Sequence, residues 1–219
     1  MSHSIGRRRF LGNAACLTAG VGFILTAGDE GVAWSSDAEG LGIVGPRPGF
    51  APHVGTLSSM MAFMRSQVVR SVTGLSLADL DFLLDAKANT IGALLLHLAA
   101  TETYYQLHTF QGLAWGAWPD AVKQKWDAAS ALGNAGRASI KGKELAFYLE
   151  TLQDTRARTL AEFKKRDDKW LFAVDKNWPW GPTNNYCKWF HVCEHEANHN
   201  GQIKLLKGRL PGAHPDSGG

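Results

Sequence analysis

Three of the chain's eight histidines, His191, His195 and His199, fall within nine residues near the C-terminus. If the segment from Trp189 to Ile203 is helical, the four-residue spacing stacks them on one face, each ~5.4 Å above the last. Neutral imidazole is the commonest protein ligand for a divalent metal, and two imidazoles one turn apart can share one ion. A polar helix face is the plain alternative; three histidines in register beside Glu196 and Gln202 favour a metal site. His195-Glu196-Ala197-Asn198-His199 also spells H-E-x-x-H, in which two histidines bind zinc and the glutamate is general base of a protease. That chemistry needs a third ligand further on, yet Leu205 stands six residues after His199 and no glutamate follows Glu196. Neither Cys187 nor Cys193 reads as a nucleophile, because nothing in the sequence lowers its pKa.

These side chains need helices to hold them. Leu57, Met60, Met61, Met64 and Val68 recur at three- and four-residue intervals and predict a first helix over about 56–72. Ser76 is a good N-cap for a short turn over 77–84. A second long helix is expected from Asn89 or Thr90 to about Phe110, stopped by Gly112, with Ile91, Leu94, Leu95, Leu98 and Tyr105 as its core stripe. His97 lies inside that stripe. A buried imidazole needs a partner, so His97 is either a hydrogen-bonded core histidine or a further ligand beside the histidine ladder. Residues 112–142, holding Trp115, Trp118 and Trp126, read as a long irregular connection with one short helix at 120–132; such loops often cover pockets. A third long helix spans about 143–166, with Leu145, Tyr148, Leu149, Leu152, Leu160 and Phe163 inside and Arg156, Arg158, Lys164 and Lys165 in solvent. Trp170, Trp178 and Trp180 lead into the last helix, about 184–209. No strand is expected. The class is all-α, a four-helix bundle with long Trp-rich connections.

Around this domain, residues 56–210, the composition changes. Arg7-Arg8-Arg9-Phe10-Leu11 precedes a weakly apolar run to Ala27, which resembles a twin-arginine export signal over residues 1–33, cut somewhere between 27 and 38. The expected location is therefore periplasmic or otherwise exported, with membrane contact only during export. Residues 34–55 are a Gly/Pro-rich lead-in and 211–219 a disordered tail. A net charge of +3 with no extended basic patch argues against nucleic-acid binding. Cys187 and Cys193, six apart on one helix, cannot reach each other for a disulfide.

Asn89-Thr90-Ile91-Gly92-Ala93-Leu94-Leu95-Leu96-His97-Leu98, Glu102, and His195-Glu196-Ala197-Asn198-His199-Asn200-Gly201-Gln202-Ile203 together resemble the DinB-like superfamily, with similarity running from about Val54 to Leu210. The resemblance implies an up-down-down-up four-helix bundle holding a divalent metal through His97, His195 and His199, and imidazole ligands suit Zn or Ni. His191, Glu102, Glu196 and Gln202 are then expected in the pocket or in contact with the ligands. Three histidines leave a coordination position open, the pattern of a catalytic ion. Relatives imply a metal-dependent thiol transferase or a hydrolase acting on a small molecule, with a thiol cofactor as partner; a homodimer is compatible. The alternatives are a non-catalytic periplasmic bundle whose tryptophans cover a ligand pocket, and a metal that merely fastens the second helix to the fourth.

Overall fold

The computed structural model describes residues 40–213. The expected export signal, 1–33, and residues 214–219 of the expected tail lie outside the described residues. In chain order the elements are α1 (Pro52–Val72), α2 (Leu77–Leu80), α3 (Ile91–Gln111), α4 (Asp120–Ala131), α5 (Gly133–Ser139), α6 (Leu145–Phe163), α7 (Asp168–Phe172), β1 (Val174–Asp175), β2 (Thr183–Asn184) and α8 (Asn185–Lys207). Four of them, α1, α3, α6 and α8, are long and form the bundle. Among the described residues no helix is long and apolar enough to cross a membrane.

Local chemistry sets most helix ends where the sequence predicts them. Thr90 accepts a hydrogen bond from the Ala93 N–H at 3.0 Å, and Asn184 accepts one from the Cys187 N–H at 2.8 Å. Ser76 and Asp79 form a reciprocal capping box on α2. Gly112 closes α3 in the left-handed conformation, φ 73°. Other ends depart from expectation. Helix α1 starts at Pro52 rather than Thr56, inside the expected lead-in, because proline suits a first helical position and Asp168 caps it from across the chain. The Asp168 carboxylate accepts from the His53 and Val54 N–H groups at 3.0 and 3.3 Å. The 112–142 connection holds two helices, α4 and α5. A two-residue antiparallel pair, Val174 with Asn184 and Asp175 with Thr183, pinches the loop before α8 where no strand is expected.

The core consists of two apolar clusters, and the order in which each long helix meets them gives the topology. Helix α1 passes from Val54, Leu57 and Met61 in one cluster to Val68 and Val72 in the other; α8 makes the same passage from Trp189 and Val192 to Ile203 and Leu206. Helices α3 and α6 run the opposite way, from Leu94 and Leu98 to Tyr105, and from Leu152 to Phe163. The bundle is therefore up-down-down-up. Helices α3 and α6 pack against each other in the same direction, so the chain between them must retrace roughly 30 Å at 1.5 Å per residue. Residues 112–144, with α4 and α5, are that return.

A layer of charge separates the two clusters. Arg65 of α1, Glu102 of α3, Arg156 of α6 and Glu196 of α8 are 0%, 0%, 4% and 1% exposed. Arg65 donates to Glu102 at 2.9 Å and to Glu196 at 2.5 Å; Arg156 donates to Glu102 at 2.8 Å and to Glu196 at 2.6 Å. Remaining donors reach the Leu152 and Met61 carbonyls, and the Thr159 hydroxyl donates to Glu102 at 2.6 Å. Arg156, expected in solvent, is thus a core residue, because its position continues the buried stripe of Leu152 and Thr159 and two carboxylates await it there. Burial alone would raise the Glu102 carboxyl; the Arg156 and Arg65 guanidiniums and the Thr159 hydroxyl outweigh it and hold Glu102 below its ordinary value.

Removing one partner from such a layer strands the others. Arg156→Met is expected to lower the unfolding free energy by about 3–5 kcal/mol, while Arg158→Met, at an exposed position, changes it by less than about 0.5 kcal/mol; urea titration measures both. Because the folded protein binds fewer protons at Glu102 than the unfolded chain, its contribution is complete above the ordinary value of 4.5 and fades as pH falls below it. Stability curves between pH 3 and 6 should therefore flatten at the acid end in Glu102→Gln, relative to that variant's own neutral-pH value.

Candidate metal centre

Helix α8 carries His195 and His199 one turn apart, and α3 brings His97 against them. The close approach of α3 to its other neighbour, α6, depends on Gly92, where an added Cβ would lie 2.6 Å from the Tyr148 hydroxyl oxygen. The three imidazoles form a closed group, with ring centroids 4.9 Å (His97–His195), 4.8 Å (His97–His199) and 4.4 Å (His195–His199) apart. One nitrogen from each lies within 4.8 Å of the others, so the three histidines could hold a metal ion.

Two of the rings are aimed by hydrogen bonds. The Nδ1–H of His97 donates to the Ala129 carbonyl on α4 at 2.9 Å, which leaves its Nε2 with a bare lone pair. That Nε2 faces the Nε2 of His195 at 2.9 Å. The Nδ1 of His199 donates to the Gln202 side-chain oxygen at 3.1 Å, the orienting role that neighbours of metal-bound histidines commonly play. Burial disfavours the charged form of each ring. It lowers the pKa of His97 to about 4 against the pull of the Ala129 hydrogen bond, and that of His195 to about 3 with the help of its histidine neighbours. His199 is lowered by burial as well. Metal binding requires neutral imidazole, and nitrogens sharing one ion at ~2.0–2.1 Å lie about 3 Å apart; the His97–His195 pair has that spacing, and three uncharged imidazoles are donors that suit a divalent ion.

The other expected site residues divide. Gln202 touches His199. His191 stands outside the three-nitrogen group; it pairs with Glu194 at 2.6 Å and lies edge-on to His195, 5.2 Å between centroids. Glu102 and Glu196 both face the charged layer in the core. Glu196, though adjacent to His195 in sequence, is turned away from it and bound by two guanidiniums, so it is not poised as the general base that the H-E-x-x-H pattern would require. The thiols are free, as expected; Cys187 is exposed and Cys193 buried.

A cleft of about 200 Å³ opens beside the group, with His195 and His191 at one side and Tyr104, Tyr105 and the indoles of Trp115, Trp178 and Trp180 around it. The tryptophans thus have different duties: Trp118 stacks on Tyr104 and Trp170 on Phe110, whereas Trp115, Trp178 and Trp180 line the opening. Sequence reasoning misses a second polar cluster behind this wall. Lys188 of α8, 1% exposed, donates to His108 Nε2 and to Asp175 Oδ2, both at 2.8 Å, and its ammonium lies 4.5 Å from the Trp178 ring centre. The available signal was periodicity, since Lys188 stands one turn before buried Val192.

Comparison with known proteins agrees with this architecture. A family model described as mycothiol-S-transferase matches residues 56–212. A crystal structure described as the conserved protein of locus from Enterococcus faecalis superposes with a TM-score of 0.54 at 16% identity, covering 70% of this chain and 94% of that one; at that identity it speaks to the fold. No curated protein matches the chain.

Burial pushes the Cys193 thiol up to about 11, which makes it a packing group with little thiolate. In native protein treated with a disulfide reagent such as DTNB at pH 7.5, peptide mass spectrometry should find Cys187 modified and Cys193 intact; labelling of Cys193 at a comparable rate would contradict the burial.

Proposed function

The chain belongs to the mycothiol-S-transferase family, a DinB-like one, and from that premise we propose that it is a metal-dependent thiol S-transferase acting on a small-molecule thiol and a second, electrophilic substrate. The observation that carries this reading is the composition of the site. Three uncharged imidazoles sit at the edge of an aromatic cleft, and among the described residues neither a protein thiol nor a carboxylate joins them as nucleophile or base. A nucleophile at this site then comes from outside the chain, as a substrate thiol does. Thiol transfer ranks above hydrolysis because of the family match, since an ion held by three histidines lowers the pKa of bound water as well as that of a thiol.

In this reading His97, His195 and His199 hold the ion, Ala129 and Gln202 fix the tautomers of His97 and His199, and the buried surroundings keep all three rings unprotonated. A divalent ion bound by three histidines has a position to spare, and it lowers the pKa of a thiol placed there. The family supports a thiol partner; the choice between zinc and nickel rests on imidazole chemistry alone. Export by way of residues 1–33 is a further part of the proposal, supported by Arg7-Arg8-Arg9-Phe10-Leu11 only.

Metal quantification of the purified protein tests the site. Close to one divalent ion per chain is expected in the native protein and in His191→Ala, and less than about a tenth of that in His97→Ala and His199→Ala. Thiol consumption with a mycothiol-type thiol and an electrophile should follow metal content across the same variants. Full metal retention in both ligand variants would remove the basis of the reading.

A further inference from the structure

We propose that the aromatic cleft beside His195 is the subsite of the electrophile, and that it selects an uncharged molecule with a flat, apolar face. Calling the occupant an electrophile rests on the thiol-transfer reading above; its charge and shape rest on the cleft itself.

Shape comes first. Trp115 and Trp178 meet edge to face, 4.8 Å between centroids and 70° between planes, and Trp178 and Trp180 do the same at 5.5 Å and 86°. Indoles standing at right angles to one another present ring faces in different directions around the opening, the arrangement that holds a planar guest by stacking on one wall and edge contact with the next. Trp115 and Trp180 are 40% and 58% exposed, a large apolar surface to leave in water at the mouth of a cleft. A guest that covers it gains hydrophobic free energy.

Charge narrows the class. No Asp, Glu, Lys or Arg lines the cleft, and in the reading above the ion beside His195 has a thiolate on its open position, so a carboxylate or phosphate entering the cleft would lose water without gaining a side-chain partner or a free position on the ion. Aromatic walls alone would also suit a cation, but here the Trp178 ring already has one. The Lys188 ammonium lies 4.5 Å from its centre and is not itself part of the cleft lining. A second cation brought against the same indole would have to share a ring on which Lys188 already draws, the charge of that ammonium being itself offset by Asp175 at 2.8 Å. The Trp178 N–H has no acceptor among the described residues, so packing and Lys188 set the ring in place. What remains is a neutral guest, such as an aryl or benzyl halide or an unsaturated carbonyl compound. With a halide the sulfur of the thiol forms a bond to carbon and the carbon–halogen bond breaks. The halide leaves with the bonding pair and the thiol proton accompanies it as acid, with no oxidant or reductant involved.

Calorimetric binding to the metal-loaded full chain saturated with a thiol, which fills the ion's open position, tests this with three probes sharing one ring: 4-nitrobenzyl alcohol, 4-nitrobenzenesulfonate and (4-nitrobenzyl)trimethylammonium. The neutral probe should bind at least about tenfold more tightly than either ion. Trp180→Ala, at an exposed position where folding is not at stake, should weaken it by about fivefold, and Trp178→Ala by more. Equal affinity for the three probes, or indifference to both tryptophan substitutions, would overturn the proposal. Turnover of 4-nitrobenzyl chloride with a thiol is measured separately: selective binding without turnover defeats the transfer reading and leaves the cleft's preference standing, and turnover without selectivity does the reverse.

Discussion

The ionic layer formed by Arg65, Glu102, Arg156 and Glu196 is the constraint from which the rest of the bundle takes its register. Each long helix contributes one charge, each guanidinium touches both carboxylates, and the layer sits where the two apolar clusters meet. Hydrophobic contact alone tolerates sliding and rotation, because one leucine stripe packs nearly as well against another. A buried charge does not tolerate them. Shifting any one helix by a turn, ~5.4 Å, would leave two charges of the layer unpaired in the core, at a cost of several kcal/mol per ion.

This register is what assembles the imidazoles. Glu196 follows His195 directly, so fixing Glu196 toward the core fixes the neighbouring face of α8, ~100° around the helix, on which His195 and His199 stand. Glu102 stands five residues after His97 and does the same for α3. The histidine group is thus placed by residues that do not touch it. Their adjacency in sequence to the histidines reflects helix geometry rather than a shared chemical task.

Much of this was legible beforehand because it is local. Caps at Ser76, Thr90 and Asn184, the stop at Gly112, the apolar stripes and the four-residue histidine spacing all act within a few residues of themselves, and the up-down-down-up bundle with its three histidines was expected from the chain together with its resemblance. The charged layer was not. Arg65 and Arg156 occupy stripe positions, Arg65 between Met61 and Val68 and Arg156 after Leu152, but a guanidinium reads as surface unless its partners are known, and those partners lie on other helices. The same holds for Lys188, whose counter-ion is Asp175 on the β1 strand, and for the start of α1, capped by Asp168 from the far side of the domain. The tryptophans were ambiguous for a related reason: whether an indole packs inward or lines an opening depends on the path of its loop, which the indole does not encode.

Three buried polar clusters can then be compared on equal terms. In the layer of two arginines and two glutamates each charge meets its opposite, although Glu196 takes both guanidiniums on Oε1 and its buried Oε2 has no hydrogen-bond partner among the described residues. Lys188 with His108 and Asp175 is nearly so, an ammonium satisfied by a carboxylate and a ring nitrogen, and it ties the Trp178 loop to α8. The third cluster, His97 with His195 and His199, differs in kind. On the two rings with an assigned partner Nδ1 is spent on Ala129 and Gln202, and lone pairs converge where no positive group of the described protein stands. Burial keeps the rings from acquiring protons to supply one. Where the other two clusters set each buried charge against an opposite one, this one leaves a set of acceptors whose natural complement is a cation from outside, at the edge of the aromatic cleft.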